Sequence, residues 1–591
     1  MERHARRPRL RHDRPALGTP DVLRARLSPA LLVLPAILLG ALALRLWGIG
    51  HGLPFSYNSD EEGHFVPVAI GFFGHSLNPR YFLNPPGYTE LLYAVYAVWF
   101  GGRDVVAHAY AADPTKVFLI ARVTCALLGV ASVWLLHLFG KRLFDRRVGW
   151  LAAGLGAVAF LPVSYSHLAL NDVPTMAPAT LALLCAALVL KRGGVWPVLL
   201  GGLAVGLAAG TKYTAGIVVL PLLTAVALRT REERAGVAHA LAAAALTCFA
   251  AVVGFLLANP YALLSFSEFH TGISSQQALA GGGELSKLGL TQKNGILYYL
   301  WSFTWGLGWI PSLLAIVGAG RMLWKDRAIA LTLIPTVLIY LVYMGAQDRY
   351  FGRWALPVFP IVIVLAAYGT LWLADEVGRR VPRAALPATA VLVVALLAQG
   401  LVTVVHNDRV LSRTDTRTSA RDWMLANIPA GTPIVLEPIV PTRWSEDPDQ
   451  ASPATPSGQR WRLWDTTRAD VDDFARALPG GRTRYVRVDK YERTLRPQLI
   501  DEYEQAGYCW VVVGSDQRGR AFAQPDQAPQ AIAYYDALAR EGRAVAHFTP
   551  YKAGATPPAF NFDWNFDFYP LAYERPGPEL TIYRLSGGRC S

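Results

Sequence analysis

Three consecutive carboxylates, Asp60, Glu61 and Glu62, follow the first long apolar stretch of the chain, and a fourth, Asp172, stands between two later ones. The cations near the same ends of such stretches are Arg122, Lys212, Lys287, Arg349 and Arg353, with His64 close to the acids. A site with acids on one side and several cations on another suits one kind of group transfer. A carboxylate takes the proton of an attacking hydroxyl, and fixed cations stabilise the charge on a departing phosphate. Plainer roles stay open for each group. The three acids also fit a solvated loop, and Lys212, Arg349 and Arg353 fit cations that snorkel at span ends. Arg122, one turn inside a span, suits a structural partner for a carboxylate as well as an anion ligand. Asp60, Glu61 and Asp172 also offer oxygen ligands for a divalent cation. Metal-type Cys/His spacing occurs nowhere in the chain.

The segments that must position these groups belong to a membrane protein. Of 591 residues, 53% are hydrophobic and 17% charged, against about 25% charged in soluble domains, and the mean hydropathy is +0.27. The net charge of +13 lies largely in an N-terminal arm, residues 1–26 with eight Arg against three acids, and in short loops. Basic inner loops are a topology signal, so nucleic-acid binding is excluded. Eleven apolar stretches read as spans, near 27–48, 117–139, 148–163, 174–190, 195–211, 213–228, 236–258, 295–319, 328–345, 354–374 and 384–405. The boundary between 195–211 and 213–228 is the least marked. Ala41-Leu42-Ala43 resembles a leader-cleavage site, but the apolar run continues past it and favours a retained anchor.

With the N-terminus inside, the loops on the inner side are 141–147, 191–194, 229–234, 321–327 and 378–383, all basic, as the positive-inside rule requires. The acids then face outside, and so does everything after about 406. Residues 84–102 are apolar enough to span, yet counting them would invert every later loop. They are expected to form a helix against the membrane within the first outer loop, 51–116, starting at Pro85-Pro86. Phe65, Val68, Ala69, Phe72 and Phe73 recur at helical spacing, which predicts a helix lying in the interface beside the acids. Acids beside a lipid-seeking helix suggest a lipid-borne substrate.

From about 407 the composition is that of a soluble domain. Strands are expected at Pro433–Glu437, Tyr485–Val488, Trp510–Gly514, Ala544–Phe548 and Leu580–Leu585. Helices fall between them at Thr418–Asn427, Ala469–Ala477, Leu495–Ala506 and Ala531–Glu541, an α/β alternation. Residues 438–465, with Trp444, Trp461 and Trp464, read as a long loop over the membrane-facing side. Cys125, Cys185 and Cys248 fall in spans as packing residues, whereas Cys509 and Cys590 lie beside strands and either pair or stay reduced.

DEEGHF (60–65), followed by SLNPRYFLNPPGY (76–88), resembles the first outer loop of glycosyltransferase family 39. That family includes dolichyl-phosphate-mannose–protein mannosyltransferases and the lipid A aminoarabinose transferase, within the GT-C superfamily. Further blocks are similar: residues 121–144, SHLALNDVPTM (166–176), GLAAGTKYTAGIVVLPLL (206–223), NPYALLSFSEF (259–269) and RYFGRWALPVFP (349–360). DTRTSARDWMLANIPAG (415–431) and PLAYERPGPELTIYRL (570–585) look like the C-terminal domain of the bacterial branch. The resemblance implies a GT-C type polytopic α-helical protein: a basic arm (1–26), a transmembrane catalytic domain (27–406) and an external α/β domain (407–591). It implies a bacterial plasma membrane location and inverting transfer of a sugar from a polyprenyl-phosphate donor on the outer face. Asp60 is then the expected base, Glu61 its partner, Glu62 an extra acid, and Asp172 the second acidic position. Arg122, Lys212, Arg349 and Arg353 are the expected carrier-phosphate contacts, with His64 and Lys287 as further candidates. NPPGY departs from relatives of the lipid A branch. The sugar, the need for a metal, and whether the acceptor is a glycan, lipid or protein stay open.

Two other classes compete: a transporter of lipid-linked sugar and a non-catalytic carrier-lipid-binding assembly protein. A transporter would more often show two related halves and mid-membrane charges, and neither appears in this sequence. The intact Asp60-Glu61 pair favours an enzyme over a binding protein.

Overall fold

The computed structural model describes residues 29–74, 76–281, 288–289, 294–465, 488–561, 563 and 569–591. The basic arm, Lys287, the helix expected at 469–477 and most of the strand expected at 485–488 lie outside the described residues.

Helical segments cover all eleven apolar stretches. Among the described residues, seven helices are long and apolar enough to cross a membrane, or eight if the bent pair Arg146–Val158 and Phe160–His167 is one span. This is fewer than the eleven spans expected, and length is the reason. A helix needs about 20 residues to cross a 30 Å core, whereas Met176–Arg192 and Val195–Thr211 have 17 each, about 26 Å. The bend of 55° in the pair falls where Pro162 has no N–H to give Val158, four residues back. Helix Val195–Thr211 lies against Gly236–Leu257 at glycine distance. A Cβ on Gly206 would meet the carbonyl oxygen of Ala251 at 2.0 Å, and one on Gly254 that of Leu203 at 2.3 Å. Small residues spaced by four let helix backbones approach in this way. Cys125 and Cys185 are buried as expected, but Cys248, on the outer face of Gly236–Leu257, is exposed.

The basic loops gather at one end of the bundle. Arg147 pairs with Asp375 at 2.9 Å and Lys191 with Asp326 at 3.9 Å, and Gly193 abuts Arg229 and Glu233. Helix Thr115–Leu143 runs from Arg122, beside the acidic turn, to Lys141 at this basic end, roughly 29 Å away.

In the first loop, the 84–102 stretch forms helix Gly87–Phe100, 14 residues long and too short to span. It exposes Leu91, Val98 and Trp99. The apolar face expected to lie in the membrane interface instead turns inward: Phe65, Ala69, Phe72 and Phe73 are buried and Val68 is half-buried. The helix behind the acids covers only Val66–Gly71, so its face is used up in the protein core.

The C-terminal part is built on a five-stranded sheet of order β2-β1-β3-β5-β4: β1 Pro433–Leu436, β2 Arg462–Leu463, β3 Trp510–Gly514, β4 Arg543–Phe548 and β5 Leu580–Arg584. Strands β2, β1 and β3 run parallel, and β5 joins β3 and β4 antiparallel. Alternation along β3 splits the core between two faces. Val511 and Val513 pack with Tyr503, Tyr534 and Leu538, while Val512 packs with Ile434, Ile582 and Met424. Trp444 and Trp461 belong to this second core rather than to a loop over the membrane side. Helix Ser515–Ala523 follows β3 directly; its polar sequence hid it among the expected elements. The Cys509–Cys590 pair forms a disulfide.

This unit rests on the first loop. Arg443 donates to the carbonyls of Tyr110 and Ala111 at 3.0 and 3.1 Å, Tyr57 and Thr418 share a 2.9 Å hydroxyl contact, and Arg417 stacks 3.7 Å from the Tyr57 ring.

Candidate active site

The acidic triplet forms one tight turn. Asn58 caps it, its Oδ1 accepting from the amides of Asp60 and Glu61 at 3.0 and 3.2 Å. Residues Glu61–Phe65 then make a π-helical turn, a widened geometry that recurs at functional sites. Successive helical side chains point roughly 100° apart, so three adjacent carboxylates reach three surroundings.

Glu61 points inward and is fully buried. It accepts four hydrogen bonds: Arg122 Nε and Nη2 at 2.7 Å each, Ser56 Oγ at 2.6 Å and the Ala169 amide at 2.9 Å. Arg122 is buried as well, and its Nη1 donates to the carbonyls of Ile49 and His51 at 2.8 Å. Neither residue lines the two cavities described below. Of the two kinds of partner open to Arg122 in the sequence, a carboxylate and an anion, the one it meets here is the Glu61 carboxylate. A bidentate Arg–carboxylate pair of this kind fixes geometry, here tying together the 49–62 segment, helix Thr115–Leu143 and the 166–172 turn.

Asp60 points the other way, into a cavity of about 430 Å³ that is also lined by His64, Asp172, Lys212, Arg349 and Arg353. Six of the ten residues expected at the site thus share one space. Four of them form a chain of alternating charge. Arg353 Nη2 lies 2.8 Å from Asp60 Oδ2, Arg353 Nε lies 3.9 Å from Asp172 Oδ2, and Lys212 Nζ is hydrogen-bonded to Asp172 Oδ1. Lys212 sits at the break between helix Val195–Thr211 and the turn Tyr213–Val218, and Asn171 braces that break by donating to the Thr211 carbonyl at 2.8 Å. The arginines come from one loop, where both guanidiniums stand over the Phe351 ring, at 5.2 Å for Arg349 and 5.1 Å for Arg353, within cation–π range. His64 stacks on Tyr81 at 4.6 Å. Leu83, Ile273, Leu279 and Met344 give the same cavity an apolar flank.

Glu62 takes the third direction, into a second cavity of about 320 Å³ between the first loop and the C-terminal unit. Partial burial raises its pKa, opposed by the nearby Arg443 and His64. Asp60, Arg349, Phe351 and Arg353 line both cavities. The C-terminal unit adds Arg417, Asp516, Gln517 and Arg520 to the second one. Sequence reasoning missed these four. They lie some 350 to 460 positions from Asp60, and only the DTRTSARDW block around Arg417 carried any signal. Asp563 was missed too; it accepts from the Gly352 amide at 3.2 Å and from the Tyr298 hydroxyl, and so anchors the arginine loop.

Among the described residues no three His, Cys, Asp or Glu side chains are placed to hold a metal ion. The expected oxygen set of Asp60, Glu61 and Asp172 does not converge, because Glu61 turns away to Arg122 and Arg353 stands between Asp60 and Asp172.

A helical membrane fold with a charged cavity at one end is the class these features define. The sequence profile of the dolichyl-phosphate-mannose–protein mannosyltransferase family matches residues 115–255, the part that carries Arg122, Asp172 and Lys212. On that stretch the resemblance to family 39 holds. Comparison with curated protein sequences finds no match. Solved structures similar to this chain include ArnT from Cupriavidus metallidurans bound to undecaprenyl phosphate, at 15% identity, covering 94% of this chain and 98% of that one, with a TM-score of 0.48. The oligosaccharyltransferase AglB from Archaeoglobus fulgidus, in complex with an inhibitory peptide and a dolichol-phosphate, is 13% identical over 92% and 75% of the two chains, with a TM-score of 0.46. The protein O-mannosyltransferase complex Pmt1-Pmt2 of S. cerevisiae, bound to the sugar donor, is 18% identical over 43% and 35%, with a TM-score of 0.31. Likenesses at these scores say nothing of what this chain does.

Proposed function

We propose that the chain is a membrane glycosyltransferase that moves a sugar from a polyprenyl-phosphate donor to an acceptor hydroxyl, with inversion, on the outer face of a bacterial plasma membrane. The observation that carries this reading is the Asp60–Arg353–Asp172–Lys212 chain in a cavity with one apolar flank. The family match over 115–255 supports it. Asp60 takes the proton of the acceptor hydroxyl as its oxygen bonds to the anomeric carbon. The bond from that carbon to the phosphate oxygen breaks, and the phosphate leaves with the electron pair. Lys212, Arg349 and Arg353 stabilise the leaving charge, as fixed cations in a partly dry site do. Arg353 bridges Asp60 and Asp172, so a donor phosphate competes with both carboxylates for its guanidinium and loosens its hold on Asp60 Oδ2. Glu61 and Arg122 hold the turn in place rather than touch substrate.

The N-terminus lies inside in this reading, with the gathered basic loops on the cytoplasmic side and the C-terminal unit outside. The test is purified protein in detergent with a panel of polyprenyl-phosphate sugars and a mixed set of acceptor hydroxyls (saccharides, Ser/Thr peptides and alkyl diols), wild type beside Asp60→Asn. Wild type should release free polyprenyl phosphate from at least one of them. The variant should bind that lipid normally and lose about 10²–10⁴-fold in turnover. Wild-type turnover by the variant would remove Asp60 as the base, and a panel left wholly unconsumed would remove the enzyme reading.

A further inference from the structure

The second cavity has a feature that the donor site does not explain. Asp516 and Gln517, at the start of helix Ser515–Ala523, are each only 2% exposed and line the cavity. Yet Asp516 Oδ1 and Gln517 Oε1 find no hydrogen-bond partner among the described residues. Gln517 is held in place by its other end, where Nε2 donates to the Pro438 carbonyl at 3.0 Å. Buried acceptors left unpaired are costly, and both residues line a space of small-ligand size.

We infer that this second cavity holds the acceptor, and that the acceptor is a neutral glycan whose hydroxyls donate to Asp516 and Gln517 while one further hydroxyl reaches Asp60. The inference rests on the reading of Asp60 as the base. Asp60 belongs to both cavities, so a donor held in the first and an acceptor held in the second meet at one carboxylate. The unpaired groups are acceptors, so the ligand must bring several donors at close spacing. A sugar ring does so, whereas an extended peptide brings one N–H per residue. Tyr57 and Phe351 add aromatic faces to the lining against which the apolar face of a ring can lie. Neutrality follows from the arginines. Arg417 is paired with Asp415 at 2.8 Å, Arg520 with Glu492 at 3.4 Å and Arg353 with Asp60 at 2.8 Å, Arg349 is taken up by the donor phosphate in the reading above, and Glu62 and Asp516 add negative charge to the wall. An acidic acceptor would meet paired cations and two carboxylates.

The experiment uses the full chain in detergent with whichever polyprenyl-phosphate sugar it consumes. Three kinds of acceptor are offered: methyl glycosides and short neutral oligosaccharides, Ser/Thr peptides, and lipid-like alkyl diols. Transfer to a saccharide is expected. Gln517→Leu and the milder Asp516→Asn should each raise the saccharide KM by about tenfold, the worth of a lost hydrogen bond of about 1.4 kcal/mol, with the donor KM unchanged. Sugar transfer to peptide or alkyl diol alone would overturn the glycan assignment. A saccharide KM that neither variant moves, or a donor KM that moves equally, would overturn the placement. A second measurement does not depend on turnover: saturation-transfer NMR of the same saccharides on the Asp60→Asn protein. A signal there that Gln517→Leu abolishes supports the site even if catalysis by Asp60 fails, and a signal it leaves intact overturns the site alone.

Discussion

Breaking the Glu61–Arg122 pair gives the sharpest test of how the site is held. Arg122→Met strips two of the four donors from a fully buried carboxylate, leaving only Ser56 and the Ala169 amide. Glu61→Gln leaves a buried guanidinium with two carbonyls and no counter-charge. Each single change should cost about 3–5 kcal/mol, as for other buried pairs cut on one side. The double variant Glu61→Gln/Arg122→Met leaves no buried charge, so its loss should fall well short of the sum of the singles, by roughly 2 kcal/mol or more. Thermal and urea unfolding in detergent, followed by tryptophan fluorescence, measures all four proteins. Donor-lipid affinity, measured on whatever stays folded, separates the two roles open to Arg122. Additive losses would refute the pairing argument. Singles that keep their unfolding midpoint and lose only donor affinity would return Arg122 to the phosphate.

Three further outcomes are expected. Burial lifts the pKa of Glu437 from its ordinary 4.5 to about 8, although the Gly514 amide and the Tyr535 hydroxyl donate to it. The folded state therefore keeps a proton that the unfolded chain releases, so stability is full below pH 4.5 and falls as pH climbs to about 8. Glu437→Gln should flatten that fall in the unfolding midpoint, and an unchanged slope would count against it. The Cys509–Cys590 bridge spans 81 positions, worth about 4–5 kcal/mol on a chain-entropy basis. Cys590→Ser should thus lower the midpoint of the C-terminal unit, and an unaltered midpoint would sink that estimate. Gly206→Val places a side chain where even a Cβ would sit 2.0 Å from the Ala251 carbonyl. It should part the two helices and abolish monodisperse protein in detergent; normal size-exclusion behaviour would mean they pack more loosely than described.

What the sequence made legible depended on range. Strand β3 was readable because Val511–Val513 is a β-branched run beside an aromatic and is stopped by Gly514 and the polar Ser515-Asp516-Gln517, and its limits agree with the structure. The Lys212 break was barely legible, because a single residue separates two apolar runs there. The separate fates of Asp60, Glu61 and Glu62 were not, because direction depends on a π-helical turn that no local pattern announces. The amphipathic pattern at 65–73 was real, but a pattern shows only that a face is covered, not whether lipid or protein covers it. Trp444 and Trp461 pointed to a surface loop because their neighbours are Pro, Ser and Asp, whereas the sheet they pack on comes from strands up to 140 positions away. Asp516 and Gln517 open a polar helix with no periodic signal, and only the fold brings them to within one cavity of Asp60.

The buried ion pair also bears on how the chain enters the bilayer. A lone arginine costs a membrane segment several kcal/mol during insertion, less near its end than at its centre. Glu61 precedes Arg122 by 61 residues, so it has already left the ribosome when helix Thr115–Leu143 reaches the translocon. The order of synthesis thus supplies the counter-charge before the charge. Moving the counter-charge to a position after this helix would instead bring Arg122 into the hydrocarbon unpaired, and membrane integration of that span is where the difference would first be felt.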